Sequence, residues 1–332
     1  MSKYKSIDLF AGIGGIRLGF EKAFGNDIST VFVSEWDDKA QKTYKANFDN
    51  NNTIFEGDIT NVKEEDVPSF DICLNGMPCQ AFSIGGKREG FNDNYHGMCR
   101  GTLFLDVARI CDYHKPKVIF CENVKGLVTH DKKRTFQIIK KTFEDIGYKV
   151  FYKVLDSKNF GVAQHRERIY IVCFRNDIAP ETFDFPTGCG VTTKLKDILE
   201  DNVPINHYLS TQYLSSLRER QNRHKEKGNG FNYEPLNLNG VSNTIVCGGS
   251  GHESNLIIDH NNANNPNPKN KDINSEHIRK MTPREWARLQ GFDDSYIFPN
   301  SDTTTYKQLG NSVSIPVIAA IAEKIKHVLD NV

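Results

Sequence analysis

From the N-terminus to about residue 175, short apolar runs alternate with segments of helical character, and few architectures accept a chain written in that order. "SIDLF" leads into a glycine turn and a helical segment around Ile16 to Ala23, and "TVFVSE" leads into "DDKAQKTYKANF". "TIFEGD", "FDICLNG" and "KVIFCENV" follow. Apolar runs separated by helices predict a parallel sheet covered on both faces. "FQIIKKTFEDIG" reads as a helix stopped at Gly147, and "YKVFYKVL" and "RIYIVCF" as two further strands joined by a loop. The predicted fold class is α/β, a doubly wound, mostly parallel sheet with a second, smaller domain.

After about Pro186 the texture changes. Asn, Gly and Ser increase, and "HNNANNPNPKNKDINSE" at 260–276 has the low complexity of an exposed loop or linker. The pattern returns in "MTPREWARLQGF", where Thr282 and Glu285 form a capping box, Pro283 takes the first helical position and Gly291 stops the helix. The closing "LGNSVSIPVIAAIAEKIKHVL" reads as one apolar helix packed back on the first domain. This divides the chain into a main domain of 1–185 with 302–332, a smaller domain of 186–276, and a hinge or return segment of 277–301.

Lys plus Arg and Asp plus Glu balance at 42 each, which weighs against a nonspecific polyanion binder but leaves room for a charged cleft. No apolar run approaches the ~20 residues that span a membrane. "MSKYKSIDLF" enters a strand too early for a signal peptide, so a soluble intracellular protein is expected. The eight cysteines are scattered without a C-x-x-C pair or zinc spacing, so neither a disulfide nor a structural metal is expected. Cys73, Cys121 and Cys173 lie inside apolar runs and read as core thiols.

In an open parallel sheet, ligands bind beyond the carboxyl ends of the strands. After strand one comes "FAGIGG", which is not G-x-G-x-x-G and by itself is a glycine turn like many. Glu35 ends strand two about twenty residues on, where a carboxylate can accept both ribose hydroxyls. The pair favours an adenosine-containing cofactor. Gly57 and Asp58 follow strand three, placed to meet an adenine amino group; Cys79 follows strand four, and Glu122 and Asn123 follow strand five. A lone cysteine is usually a small core residue. Here it sits after Pro78, on stiff backbone, on the same edge as a carboxylic acid and a nucleoside site, which points to an active site.

The segment 81–101 interleaves Gly85, Gly86, Gly90, Gly97 and Gly101 with Lys87, Arg88 and Arg100, as a lid over an anionic substrate would. In "AQHRERIY", Gln164, Arg166 and Arg168 alternate and are expected on one strand face. Their guanidiniums either pair with Glu167 or Glu122, or hold a phosphate and a base carbonyl. In "RERQNRHKEK" five Lys/Arg stand against two Glu, a net of +3, which serves phosphate contacts or an exposed helix face equally.

Taken together, "DLFAGIGGIRLGFE", "SEWDDKAQKTY", "EGDIT", "GMPCQAFSIGGKREGF", "RGTLFLDVARI", "ENVKGL", "QHRERIY", "MTPREWARLQGF" and "GNSVSIPV" resemble, in order, the DNA (cytosine-5) methyltransferases of bacterial restriction–modification systems. The resemblance covers most of the chain outside roughly 186–276. It implies a Rossmann-like, S-adenosylmethionine-dependent methyltransferase fold, with 186–276 as target-recognition domain.

It further implies methylation at C5 of a cytosine turned out of duplex DNA. The Cys79 thiolate would add to C6, with Glu122 protonated or sharing a proton with N3. Arg166 and Arg168 would supply the positive surroundings. Cys79, Glu122, Arg166 and Arg168 are thereby implied as catalytic. Phe10, Gly12, Gly14, Glu35, Trp36, Asp58, Ile59, Pro78, Asn311 and Val313 are implied as contacts of S-adenosylmethionine, or of the product S-adenosylhomocysteine. Gln80, Ser83, Lys87, Arg88, Arg100 and Thr244 are implied as DNA contacts, Thr244–Ile245 resembling the family's Thr–Leu pair. The implied partners are double-stranded DNA with a short specific site and a separate cognate restriction endonuclease, for a cytoplasmic monomer without a metal. "NDNYHGMC" makes the loop longer than in compact family members, which leaves open which loop residues touch DNA.

Three rivals compete. A tRNA cytosine-5 methyltransferase would share the catalytic motifs, but that branch carries a Cys-Phe-Thr tripeptide, and the variable region has only Cys189 and Cys247, in "GCG" and "VCGG". A nicotinamide-dependent oxidoreductase would leave Pro78–Cys79, Glu122 and the paired arginines without a purpose. A catalytically silent DNA-binding regulator would not need them intact.

Overall fold

The computed structural model describes residues 2–48, 52–77, 94–95, 98–99, 103–228, 233–247, 253–261 and 272–332. Its elements run β1 (Tyr4–Leu9), α1 (Gly15–Phe24), β2 (Ile28–Ser34), α2 (Asp38–Asn47), β3 (Ile54–Glu56), β4 (Ile72–Asn75), β5 (Asn94–Tyr95), β6 (Met98–Cys99), α3 (Phe104–His114), β7 (Val118–Val124), α4 (Arg134–Asp145), β8 (Tyr148–Asp156) and β9 (Glu167–Arg175). Then follow α5 (Thr211–Glu226), β10 (Leu256–Ile258), β11 (Ile278–Lys280), α6 (Pro283–Gln290), α7 (Asp302–Asn311) and α8 (Ile315–Leu329). Seven strands form one sheet in the order β3-β2-β1-β4-β7-β9-β8. The five from β3 to β7 are parallel, and β9 runs antiparallel to both its neighbours. The predicted doubly wound, mostly parallel sheet is the one observed.

Side-chain alternation distributes the two cores. Ile72, Leu74, Val118, Phe120, Val172 and Phe174 pack with Ile16, Phe20 and Phe24 of α1 and with Val317, Ile318, Ile321 and Ile325 of α8. The intervening Cys73, Ile119, Cys121, Ile171 and Cys173 face the opposite way, onto Phe104, Val107, Ile110 and Cys111 of α3 and Phe136, Ile139 and Phe143 of α4. The three strand cysteines are thus core thiols on one face, and burial pushes all three up from the usual thiol pKa. Helices α1 and α8 approach closely because Gly19 has no side chain; a Cβ there would fall 2.5 Å from Ile318 Cγ2.

The C-terminal run differs from expectation in being two helices. Helix α7 ends at Asn311, Ser312 and Ser314 are extended, and α8 restarts with Pro316 in its first turn. Proline lacks an N–H to donate to the preceding turn and suits only a helix start, so the break falls just ahead of it. Helix α6 forms as its sequence predicts, with the Thr282–Glu285 capping box, Pro283 at the start and Gly291 left-handed at φ +82°. "RERQNRHKEK" lies on α5, where Arg218 pairs with Glu276 at 2.5 Å and Arg220 pairs with Glu253, so two of its five cations serve the fold. β5 and β6 form a two-stranded antiparallel pair inside the "NDNYHGMC" stretch. Among the described residues no helix is long and apolar enough to cross a membrane.

Within 186–276 a small core gathers Leu209, Leu214, Leu217, Tyr233 and Leu256, with Ile278 added from β11, which pairs with β10. Ile245 and Ile257 instead enter a core with Ile13, Val33, Trp286, Leu289 and Leu309. The two parts are joined by a buried ion triad. Arg279 Nε donates to Asp259 at 2.6 Å, and its Nη1 and Nη2 donate to Glu285 at 2.8 and 2.7 Å. Glu285 also accepts the Glu200 and Thr282 N–H groups. Removing one member leaves a buried charge uncompensated. Glu285→Ala is therefore expected to destabilise the protein by about 3–5 kcal/mol in urea unfolding, the range for breaking such a pair from one side.

Candidate active site

Because β3, β2, β1, β4 and β7 run parallel, their carboxyl ends share one edge. Antiparallel β9 begins at that same edge, with Arg168 opposite Val124. The described site residues collect there in two groups.

The first group surrounds the glycine turn. Phe10 is left-handed at φ 55°, a conformation a bulky residue adopts only when its surroundings demand it. Gly12 and Gly14 follow at φ 55° and 79°. Glu35 ties this turn to β2, its Oε2 accepting Gly12 N–H at 2.7 Å and its Oε1 accepting Asp37 N–H at 2.9 Å. Burial raises the Glu35 pKa, while those N–H groups draw it back. Beside it the Trp36 indole stays 52 % exposed. Asp58 caps a short 3-10 turn through the Thr60 N–H, and Ile59 is buried. From the far end of the chain, buried Val313 reaches the start of α1, where a Cβ on Gly15 would lie 2.8 Å from its Cγ2. Asn311 beside it is exposed.

These residues fit an adenosine-type cofactor on one structural test. A Cβ at Gly12 or at Gly57 would meet nothing within 4 Å among the described residues, so both turns leave room beside a carboxylate and the half-exposed Trp36 ring. Ribose hydroxyls can use the remaining lone pairs of Glu35, and a purine can stack on Trp36.

The second group centres on Glu122. Sequence reading placed Glu122 and Asn123 after strand five; they are instead inside β7, because β9 pairs with that strand through Val124. Glu122 is 8 % exposed, and its Oε1 lies 3.4 Å from Arg168 Nε yet accepts no hydrogen bond among the described residues. Burial raises its pKa, against the pull of the Arg168 and Arg166 charges. A carboxyl so placed keeps its proton to higher pH than an exposed one, and in that form it can donate to a ring nitrogen.

Next to it, β4 ends in Asn75, whose Oδ1 accepts the Met77 N–H at 2.8 Å, and Asn123 Nδ2 donates to the Met77 carbonyl at 3.3 Å. Two buried asparagines thus pin the residue that leads into Pro78 and Cys79. Asn123 belongs to the strand-end set read from the sequence, whereas Asn75 does not; a polar residue at the end of an apolar strand was the available signal. Pro78, Cys79, Gln80, Ser83, Lys87, Arg88 and Arg100 lie outside the described residues.

Gln164, Arg166 and Arg168 do not share a strand face. β9 begins at Glu167, and Gln164 and Arg166 belong to its approach, where they bond segment 242–247 instead of a sheet neighbour. Gln164 and Arg166 are buried. Arg166 donates to two backbone carbonyls, at Ile245 and Ser312, while Arg168 lies within ion-pair distance of Glu122. Thr244 donates its hydroxyl to the His165 carbonyl at 2.7 Å, at the surface beside this approach.

The chain matches the family model for C-5 cytosine-specific DNA methylase over residues 4–327. Among curated proteins it is similar to the type II methyltransferase M.HpaII of Haemophilus parainfluenzae, with 50% identity over 336 residues covering 99% of this chain and 91% of the relative. The type II methyltransferase M.HhaI of Haemophilus parahaemolyticus is 38% identical over 328 residues, covering 96% and 93% of the two chains. Among solved structures, a Spodoptera frugiperda DNMT2 mutant superimposes with a TM-score of 0.73 at 20% identity, over 98% of this chain and 99% of that one. S. pombe Dnmt2 methyltransferase gives 0.68 at 16%, over 99% and 98%. At those identities the structural likeness speaks for the fold.

Beneath the glycine turn, Asp8 is wholly buried, bonded by the Tyr44 hydroxyl at 3.1 Å and with Oδ1 meeting no hydrogen bond among the described residues. Burial pushes its carboxyl up to about 7, against the pull of Arg17 and Tyr44. A raised acid favours the fold when protonated, a contribution complete below the unfolded pKa and lost as pH climbs through the folded one. Between pH 5 and pH 8 this group is expected to cost about 2–3 kcal/mol. Asp8→Asn should flatten that part of the stability profile, read from urea midpoints at the two pH values.

Proposed function

Since the chain belongs to the C-5 cytosine-specific DNA methylase family and is a DNA cytosine-5 methyltransferase, we propose that it methylates one cytosine within a short duplex site through a covalent bond from Cys79 to C6 of a base turned out of the helix. Buried Glu122 beside Arg168, with its Oε1 accepting no hydrogen bond among the described residues, is the observation that supports this reading.

S-Adenosylmethionine supplies, when bound, an electrophilic methyl group. Glu35, Trp36 and Asp58 would hold its nucleoside, with Phe10, Gly12, Gly14, Ile59, Pro78, Asn311 and Val313 completing the pocket. Cytosine C5 is by itself a poor nucleophile. Addition of the Cys79 thiolate to C6 makes C5 enamine-like, provided the ring charge is neutralised at N3. Glu122 is suited to that task because burial raises its pKa above the ordinary carboxylate value. C5 would then take the methyl group as S-adenosylhomocysteine leaves, a base would take the C5 proton, and the Cys79–C6 bond would break to return the thiolate.

Arg168 is the candidate for orienting Glu122 and the base. Arg166, which donates to two backbone carbonyls, would support the site and add positive charge near Glu122. Gln80, Ser83, Lys87, Arg88, Arg100 and Thr244 remain the proposed DNA contacts, and 186–276 the proposed target-recognition domain. A separate endonuclease cutting the same site would make the modification protective. The relatives of 38–50% identity are named type II methyltransferases, which leaves the tRNA alternative without support.

Bisulfite sequencing of unmethylated plasmid after incubation with protein and S-adenosylmethionine is expected to show one protected cytosine in one recurrent short sequence. Cys79→Ser should leave none, and protection surviving in that variant would remove the thiolate from the mechanism. Glu122→Gln keeps a donor but cannot release a proton, so single-turnover methylation should slow by about 10²–10⁴-fold. Calorimetric binding of S-adenosylhomocysteine should be unchanged in that variant.

A further inference from the structure

Segment 242–247 runs between two loops that come from opposite parts of the chain. On one side it is laced to 163–166. Ser242 N–H donates to Ala163 O at 2.8 Å, His165 N–H to Ser242 O at 2.9 Å, and Ile245 N–H to Gln164 Oε1 at 3.0 Å. On the other side it crosses the last turn of α7. Gly310 is helical there, without a positive φ, yet a Cβ on it would overlap the Cys247 nitrogen and lie 2.6 Å from the Val246 carbonyl carbon. Passage of the segment, and not helix geometry, is what requires glycine.

Arg166 spans the two sides. Its Nη1 donates to Ile245 O at 3.0 Å and its Nη2 to Ser312 O at 2.5 Å. Gln290 holds the same turn from the α6 side, donating to Leu309 O at 3.0 Å, and Gln164 Nε2 donates to Leu289 O at 3.0 Å. Gln164, Arg166, Ile245 and Gln290 are all buried, so no water can substitute for a lost bond without opening the site.

Ser312 stands between Asn311 and Val313, and Ile245 follows Thr244. We propose that this clamp couples target recognition to cofactor binding, with Gly310 and Arg166 as positioning residues that make segment 242–247 and the 311–313 turn move as one body. The inference rests on the cofactor and DNA assignments made above. Neither carbonyl held by Arg166 can shift without stranding a buried guanidinium donor, so fixing one turn lowers the cost of fixing the other. Such coupling is reciprocal by thermodynamic necessity.

The test is calorimetric titration of S-adenosylhomocysteine into the full chain, alone and with a duplex carrying the sequence mapped by bisulfite. Wild-type protein is expected to bind at least about fivefold more tightly with duplex, the lower end of usual coupling. In Gly310→Ala, although alanine is the better helix residue, the ratio should fall below about twofold, with DNA-free affinity changed by less than about threefold. A merely structural lesion would weaken both titrations alike and preserve the ratio. A wild-type ratio near one, or a Gly310→Ala ratio equal to wild type, overturns the coupling. If Gly310→Ala melts early, Arg166→Lys, whose ammonium reaches one carbonyl instead of two, is judged by the same ratios. Absence of binding in both wild-type titrations overturns the cofactor assignment, and the coupling with it.

Discussion

A carboxyl group buried at the carboxyl edge of the sheet, with one oxygen left without a hydrogen bond among the described residues, is the constraint around which the site is arranged. Such a group is costly, and the cost is borne by strands on both sides of β7. Parallel β4 ends level with it, and antiparallel β9 enters level with it. Reversing β9 is what brings Arg168 within 3.4 Å of Glu122 and leaves Gln164 and Arg166 just ahead of the strand, free to hold other parts of the chain. Were β9 parallel, the arginines would start at the opposite edge.

The smaller region is attached to this edge from two directions. Segment 242–247 is laced to the approach of β9, and the Arg279 triad joins β11 to α6 and to Asp259. Both attachments are buried and polar, which makes them directional in a way that apolar packing is not. Apolar packing supplies the bulk of the hold, through Ile245 and Ile257 in the core shared with Trp286 and Leu309. The polar bonds set register.

Much was legible in the residues themselves. The order of strands and helices, the capping box of α6, the core cysteines and the membership of Glu35 and Glu122 in one edge all follow from local rules: alternation, capping, and the position of strand ends. The readings that needed revision were those that depend on partners. The length of β7 depends on how far β9 pairs with it, and the break between α7 and α8 on where the chain must turn to meet the glycine loop. Gln164 and Arg166 were expected on a strand face with Arg168; the two carbonyls that Arg166 meets lie 79 and 146 residues away, beyond any local pattern.

Sequence alone determined the fold class, the family and the chemical types present at the edge of the sheet. Side-chain periodicity and turn chemistry act over a few residues and survive in any context. Tertiary structure alone decided which of two arginines faces the buried acid, that two asparagines pin the residue leading to Cys79, and why Gly310 has no side chain. Those are matters of who arrives beside whom, set by long-range packing and the desolvation of each polar group, and a one-dimensional pattern does not carry them.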